Sequence, residues 1–361
     1  MRYTVQDLLR TDIKNLVPYS SARNEYDGDA KVFLDANENW QNFVGKHNYH
    51  RYPDPLQRSL KEKIGKVFGF RSEQLVIGNG SDEIIDLLFR IFCTPYKDKT
   101  LILSPTYGAY KVFADINAVS VSSCQLKDDF MIDFHKLETI CHLINTGSPE
   151  TGMHKLLFIC SPNNPSGTVI PLSDIAKIAG HFEGVTVVDE AYHDYSKEVS
   201  AVTLMNEFPK LVVLRTMSKA WGLAGVRIGM AVAQREVVDA MNKVKYPYNL
   251  SIVAQESAME ALDHVDRVRA EVAKTLAERE KLAQQLTRFS FVEEIIPSQA
   301  NFLLVRVRDA DGFYYFLRDM GIIIRNRSTL QGCYGCVRIT IGSPEENESF
   351  LDACRQWEAV S

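Results

Sequence analysis

The sequence predicts an α/β protein: a large domain built on a mostly parallel sheet covered by helices, followed by a smaller α+β domain. Three observations carry this expectation. Between residue 75 and about residue 245, short apolar runs alternate with helical patterns, as expected of parallel strands joined by helical crossovers. One of those runs, LVVL (211–214), is apolar without interruption, the pattern of a parallel strand covered on both faces. The chain has 361 residues, long for one domain and natural for two.

Residues 1–30 are mixed and turn-rich and are expected to form an N-terminal arm and part of the small domain. KVFLDANEN (31–39) reads as a short strand and polar loop, and HNYHRYPDP (47–55) as a loop that its prolines keep from being helical. The large domain, residues 31–250, then runs through LVI (75–77), a helix from Ser81, LILS (101–104), a helix over 107–117 and VSVSS (119–123). It continues with a helix from about 133, KLLFIC, a helix from about 173, VTVVD (185–189), LVVLR (211–215) and RIGMAVA (227–233). Residues 252–288 are charge-laced and helical, with a break expected near Asp263 because one unbroken helix of that length is unusual outside coiled coils. The small domain, 251–361, adds strands FSFVEEI (289–295), NFLLVRV (301–307), GIIIR (321–325) and CVRITIG (336–342), with helices near 310–320 and 344–358. Ser343, Pro344 and Glu346 mark the last start: an N-cap, an N1 proline and a capping-box acid.

Composition narrows the function. Hydrophobic content of 45% and charged content of 24% are those of a globular protein. A net charge of -5, from 41 basic and 46 acidic residues, offers no footprint for nucleic acid or an anionic membrane. Seven scattered cysteines argue for a reducing compartment, and the N-terminus has no apolar leader, so a cytoplasmic protein acting on small molecules is expected. Cys333 and Cys336 form a lone CxxC, and His47 and His50 a lone HxxH; neither has the further ligands a zinc site needs, so no metal is expected.

The chemistry-bearing residues gather just after the apolar runs, where open α/β sheets bind ligands. Lys219 follows LVVLRT and precedes Gly222, Gly225 and Gly229, whose small size leaves room for something bulky, and Arg227 adds a second cation. An amine so placed suits Schiff-base chemistry with a carbonyl, as pyridoxal phosphate requires. The stretch alone is equally compatible with a solvated lysine; a serine-lysine hydrolase fits worse, since the position three before Lys219 is Thr216. In LVIGNGSDE (75–83) the N–H groups of Gly80, Ser81 and Asp82 sit at a helix start suited to phosphate, although Asp82 and Glu83 also suit a helix dipole with no ligand. The third glycine of a dinucleotide fingerprint is missing.

Tyr107 in PTYGAY can stack on a planar ring or belong to the core. Asn163 and Asn164 stand in a rigid turn, SPNNPSG, and Asn164 can donate to a ring oxygen. Asp189 ends a buried strand and needs a cationic partner, which a pyridinium nitrogen would supply; Tyr192 can reach the ring oxygen, and His193 is expected to face outward.

In this order GNGSDE, PTYGAY, SPNNPSG, VVDEAY and TMSKAWGLAGVRIG resemble the fold type I pyridoxal-phosphate aminotransferases. Within them, PYSSAR, LDANEN, RYPDP, GSDEIIDLLFRIF, GIIIR and CVRITIG resemble the histidinol-phosphate aminotransferase family over nearly the whole chain. The resemblance implies a homodimer with a shared active site and pyridoxal 5'-phosphate as cofactor. It implies that Lys219 bonds the cofactor and shuttles a proton, that Asp189 pairs with its ring nitrogen, that Tyr192 and Asn164 bind the ring oxygen, and that Tyr107 stacks on the ring. Ser81, Asp82, Ser218 and Arg227 would hold the phosphate, with Tyr52 from the other subunit. Arg338 would grip the α-carboxylate of the amino donor, and Tyr19 and Arg325 the substrate phosphate, with Arg327 as the alternative to Arg325. The substrates implied are L-glutamate, 2-oxoglutarate and histidinol phosphate with its keto counterpart; a threonine-phosphate decarboxylase-like lyase or an aromatic aminotransferase on the same fold is the alternative. Trp40 stands where the family often has proline, which bears on the shape of the substrate mouth.

Overall fold

Seven strands build the larger sheet: β1 (Leu75–Asn79), β2 (Lys99–Ser104), β3 (Ser120–Gln125), β4 (His154–Cys160), β5 (Val185–Asp189), β6 (Leu211–Thr216) and β7 (Ile228–Val232). The computed structural model describes residues 3–19, 31–45, 48–144, 147–148 and 150–360, with backbone alone for 141–144. His47 and residues 20–23 of PYSSAR lie outside these. The strand order is β1-β7-β6-β5-β4-β2-β3, parallel from β6 through β3, with β7 antiparallel to both β1 and β6.

The uninterrupted apolar runs follow from double coverage. In β6, Leu211 and Val213 enter the core on one face and Val212 and Leu214 the core on the other, and all four are fully buried. Side chains alternate across a strand, so a strand with both faces buried has no polar side to show.

α1 (Val5–Leu8) and α2 (Thr11–Lys14) open the chain, followed by α3 (Arg58–Phe68), α4 (Gly80–Phe92), α5 (Ala109–Ile116), α6 (Phe134–Ile144), α7 (Leu172–His181) and α8 (Arg235–Val244). One face of the sheet is covered by α3 and α7, the other by α4 and α8. The opening residues differ from the expected arm: Val5, Leu8, Leu9 and Ile13 are buried in the same core as α4 and α8 on the large sheet. Their spacing of three to four residues makes one apolar stripe across two short helical turns, which docks instead of trailing. The expected strand at 31–39 does not form; Val32 and Leu34 are exposed there.

Past the large sheet, α9 (Ile252–Leu262) and α10 (Val265–Leu286) are separated at Asp263 and His264, where the break was expected. The second sheet, β8 (Val292–Ile296), β9 (Phe302–Val307), β10 (Arg325–Asn326) and β11 (Cys336–Thr340), is antiparallel in the order β10-β11-β9-β8. GIIIR therefore pairs only at its end, because Ile322 to Ile324 precede the ladder. α11 (Ala310–Asp319) and α12 (Pro344–Glu358) cover this sheet through Phe313, Leu317, Phe350 and Leu351. At the start of α12 the Ser343 hydroxyl accepts from the Glu346 N–H at 3.2 Å, while the Glu346 carboxylate accepts from the Ser343 N–H at 2.8 Å.

Candidate active site

A cavity of about 540 Å³ opens at the carboxyl ends of β4, β5 and β6 and is walled on its far side by arginines of the second sheet. Ser81, Asp82, Tyr107, Asn164, Asp189, Tyr192, Ser218, Lys219, Arg227, Arg325, Arg327 and Arg338 all line it. Tyr19 and Tyr52 do not: both are exposed, and Tyr52 stacks on Tyr248 with ring centroids 4.5 Å apart.

At the floor, β5 carries Asp189 to almost complete burial. One carboxylate oxygen accepts from the Tyr110 hydroxyl at 2.7 Å and the other from the Ala191 N–H at 3.1 Å. Burial raises the pKa of Asp189; those two donors, and more weakly Lys219, pull it back down. Tyr110 escaped the sequence reading, being an aromatic in an apolar helix, where core packing is the default. Its neighbour Tyr107 stands edge-on to it, centroids 5.5 Å apart, and donates to Asp82 Oδ1 at 3.2 Å.

The helix start is built by close approach. Gly80 has φ +74°, and a side chain there would meet the Arg227 guanidinium at 2.4 Å. Gly229 is pressed against the Gly80–Ser81 backbone, so its smallness serves the fit of β7 to this turn and not a ligand. The Gly80 N–H is also spoken for, donating to the Arg227 carbonyl at 2.9 Å. Gly80 thus leaves the expected set of anion donors, while Ser81 and Asp82 remain in the first turn of α4. Arg227 itself has φ 63° and reaches Asp82 Oδ2 at 3.1 Å and Ser218 Oγ at 3.5 Å. One cation therefore faces the helix terminus and the hydroxyl of Ser218 together.

Lys219 projects into the cavity, its Nζ 5.5 Å from the centre of the Tyr192 ring. The side chain is open to solvent through the cavity mouth, yet the surrounding wall lowers its pKa, first by desolvation and next by the charge of Arg338. Both effects favour the neutral, nucleophilic amine. Tyr192 is nearly buried, packs edge-on against Phe302 at 5.1 Å, and burial raises its phenol pKa.

Asn163 and Asn164 divide their work. Asn163 holds the turn, donating to the Pro105 carbonyl and Ser166 Oγ at 3.0 Å each and accepting from Thr106 at 3.1 Å. Asn164 faces the cavity and accepts from Arg338 at 2.5 Å. His193 is not outward-facing: it is half-buried, 3.7 Å from Glu190, with its pKa lowered to about 4, chiefly by desolvation and then by Arg215. Glu190 and Arg215 form a buried pair at 3.3 Å beneath the site, and the histidine packs onto it.

An acid under the floor, an aromatic plate, an amide, a neutral-leaning amine and a cation at a helix terminus fit a flat, phosphorylated heteroaromatic aldehyde. A doubly covered sheet with an amine and a carboxylate at adjacent strand ends is the framework of the class I and II aminotransferases. The model of the family described as Aminotransferase class I and II matches residues 22–353, and the chain belongs to that family. It is 45% identical to the histidinol-phosphate aminotransferase of Parabacteroides distasonis over 98% of this chain and 99% of that one. Against the protein of that name from Cytophaga hutchinsonii it is 42% identical, over 99% of this chain and all of the other. Among solved structures it resembles the histidinol-phosphate aminotransferase of Clostridium acetobutylicum, with a TM-score of 0.78, 24% identity, and 87% and 92% of the two chains covered. The enzyme of that name from Sinorhizobium meliloti, in complex with pyridoxal-5'-phosphate, gives a TM-score of 0.74 at 21% identity, over 85% of this chain and 84% of that one.

Proposed function

We propose that the protein is a pyridoxal 5'-phosphate-dependent transaminase moving an amino group between L-glutamate and imidazole-acetol phosphate, giving L-histidinol phosphate and 2-oxoglutarate in histidine biosynthesis. The observation that carries this reading is one cavity holding Lys219, Asp189 and Arg338 together, in a chain 45% identical throughout to a histidinol-phosphate aminotransferase. When bound, the cofactor supplies an electron sink that stabilises negative charge at the carbon bearing the amino group.

The chain's own residues do the rest. Asp189, buried and hydrogen-bonded by Tyr110, would keep a ring nitrogen protonated. Tyr107 would form the plate for the ring, and Tyr192 and Asn164, which line the same cavity, would bind its oxygen. Ser81, Asp82, Ser218 and Arg227, which line the cavity together, would hold the cofactor phosphate, with Arg227 offsetting its charge. Lys219 would hold the cofactor through its Nζ, and the same amine, its pKa lowered, would carry the proton between the substrate α-carbon and the C4′ carbon of the cofactor. Arg338 orients the donor carboxylate. Arg325 would contact the substrate phosphate together with Tyr19, and Tyr52 would join the cofactor phosphate from a second copy; both tyrosines lie outside the cavity of their own chain.

Residues 31–250 would act as the cofactor domain and 251–361 as the small domain, working in the cytoplasm as a homodimer. The test is 2-oxoglutarate formation from glutamate with imidazole-acetol phosphate as acceptor, compared with aromatic keto acids and with carbon dioxide release from threonine phosphate. Preferential turnover of the imidazole substrate supports the reading; decarboxylation without transfer overturns it.

A further inference from the structure

Much of the segment 31–45 lies open to solvent, and its large apolar residues Leu34, Trp40 and Phe43 are exposed. Within it one acid is withdrawn. The Glu38 side chain is only 3% exposed, and its two carboxylate oxygens hold two groups of the loop that carries Tyr52. One accepts from the Arg51 guanidinium at 2.6 Å, the other from the Tyr52 N–H at 2.6 Å. Burying a carboxylate is costly unless donors meet it, and charge-assisted bonds of this length are the strong ones. The apolar residues around Glu38 stay outside, so core packing does not account for the buried acid. The loop that it holds does.

That loop is already anchored behind Tyr52. Lys245 donates to the Pro55 carbonyl at 3.0 Å, and Gln57 donates to Asn249 Oδ1 at 3.2 Å. Asn249 in turn donates to Glu83, in the first turn of α4, at 3.0 Å. Pro53 restricts Tyr52 to extended backbone, and Tyr248 stacks on its ring. With the far end fixed, the position of the Tyr52 backbone depends on what takes its N–H, and that is Glu38.

Resting on the reading that Tyr52 joins the cofactor phosphate of a second copy, we propose that Glu38 is a positioning residue: by clasping the Arg51 side chain and the Tyr52 N–H together, it sets where the Tyr52 hydroxyl stands and so how firmly that phosphate is held. Glu38 touches neither cofactor nor substrate in this role. Its effect reaches them through Tyr52, and the chemistry at Lys219 is left alone.

The experiment measures, by absorbance, the affinity of cofactor-free protein for pyridoxal 5'-phosphate and for pyridoxal, which lacks the phosphate. It uses wild type, Tyr52→Phe, Glu38→Ala, Glu38→Gln and the two double variants. Tyr52→Phe should weaken pyridoxal 5'-phosphate about 10- to 100-fold, the loss expected for a hydrogen bond to a charged group, and Glu38→Ala about 3- to 30-fold. Glu38→Gln keeps an oxygen for the Tyr52 N–H and should lose less. Pyridoxal should stay within about threefold of wild type throughout, because the contact concerned is to the phosphate alone. Each double variant should lose little more than Tyr52→Phe, since two residues acting through one contact do not add. Equal weakening of both aldehydes by Glu38→Ala, a fully multiplicative loss in its double variant, or wild-type binding by Glu38→Ala each overturns the proposal. Should Glu38→Ala not fold, Glu38→Gln decides by the same comparisons. If Tyr52→Phe alone leaves pyridoxal 5'-phosphate binding unchanged, the shared-site reading itself fails and takes the proposal with it.

Discussion

The hydroxyl of Tyr110 lies 2.7 Å from Asp189 Oδ2 at the floor of the cavity, joining a helix on one side of the large sheet to the end of its central strand. The bond favours the ionised form of Asp189 against the effect of burial. Burial alone pushes that carboxyl upward, and the tyrosine is the largest influence holding it down. Tyr110→Phe removes the donor and leaves the ring in place. The Asp189 pKa should rise further, and the hold on a protonated ring nitrogen should weaken by about 1.5–3 kcal/mol, the value of a hydrogen bond to a charged group, or roughly 10- to 100-fold. Dissociation of the cofactor, followed by absorbance on dilution, checks this. An unchanged dissociation constant would show that the bond does not tune the acid.

Arg338 acts on Lys219 as well as on substrate. Its positive charge is the largest electrostatic influence lowering the lysine pKa, second only to desolvation. Replacing it by glutamine relieves the repulsion, so the Lys219 pKa should rise and the neutral amine should appear only at higher pH. The rate at which cofactor-free protein captures pyridoxal phosphate, measured against pH, should therefore shift its midpoint upward in R338Q. A midpoint that stays put would mean that desolvation alone sets the amine.

What the sequence revealed and what it hid differ for physical reasons. Lys219, Asp189 and Asn164 stand at or just after the ends of apolar runs, and a polar group at the end of a buried strand has few explanations other than a site. Tyr110 lies among apolar neighbours in α5, where an aromatic needs no explanation, and its bond to a residue 79 positions away leaves no local trace. The antiparallel direction of β7 was equally hidden, because a strand covered on both faces carries the same apolar pattern whichever way it runs. The converging arginines were visible singly. Their shared wall depends on β10 pairing with β11, which fixes Arg325 opposite Arg338.

His154 makes acid stability testable away from the site. It begins β4, is buried, shares a 2.8 Å hydrogen bond with Ser122, and has its pKa lowered to about 4 by desolvation and then by Lys99. Between that value and the unfolded value near 6.5 the unfolded chain binds the extra proton, so stability should rise with pH across the window and fall on acidification. From pH 7 to pH 5 the loss from this group is about 2 kcal/mol. His154→Gln should flatten the dependence of urea midpoint on pH over this range. An equally steep profile in the variant would place the acid sensitivity elsewhere.

Tyr52 gives the sharpest test of a shared site. It is half exposed, does not line the cavity of its own chain, and lies on a loop held by Lys245, whose amine donates to the Pro55 carbonyl at 3.0 Å. Stacking on Tyr248 holds the ring, and half of the residue stays open to a neighbour. If the Tyr52 hydroxyl completes the phosphate site of a second copy, Lys219→Ala and Tyr52→Ala damage opposite members of each site. A mixed dimer then concentrates both lesions in one site and leaves the other whole. Unfolding and refolding the two inactive variants together in equal amounts should give mixed dimers as half of the population, and so recover about a quarter of wild-type activity per protomer. Each variant refolded alone should recover none of it. If each chain instead supplies its own Tyr52, every site in the mixture carries one lesion and the activity of the mixture stays at the average of the two variants.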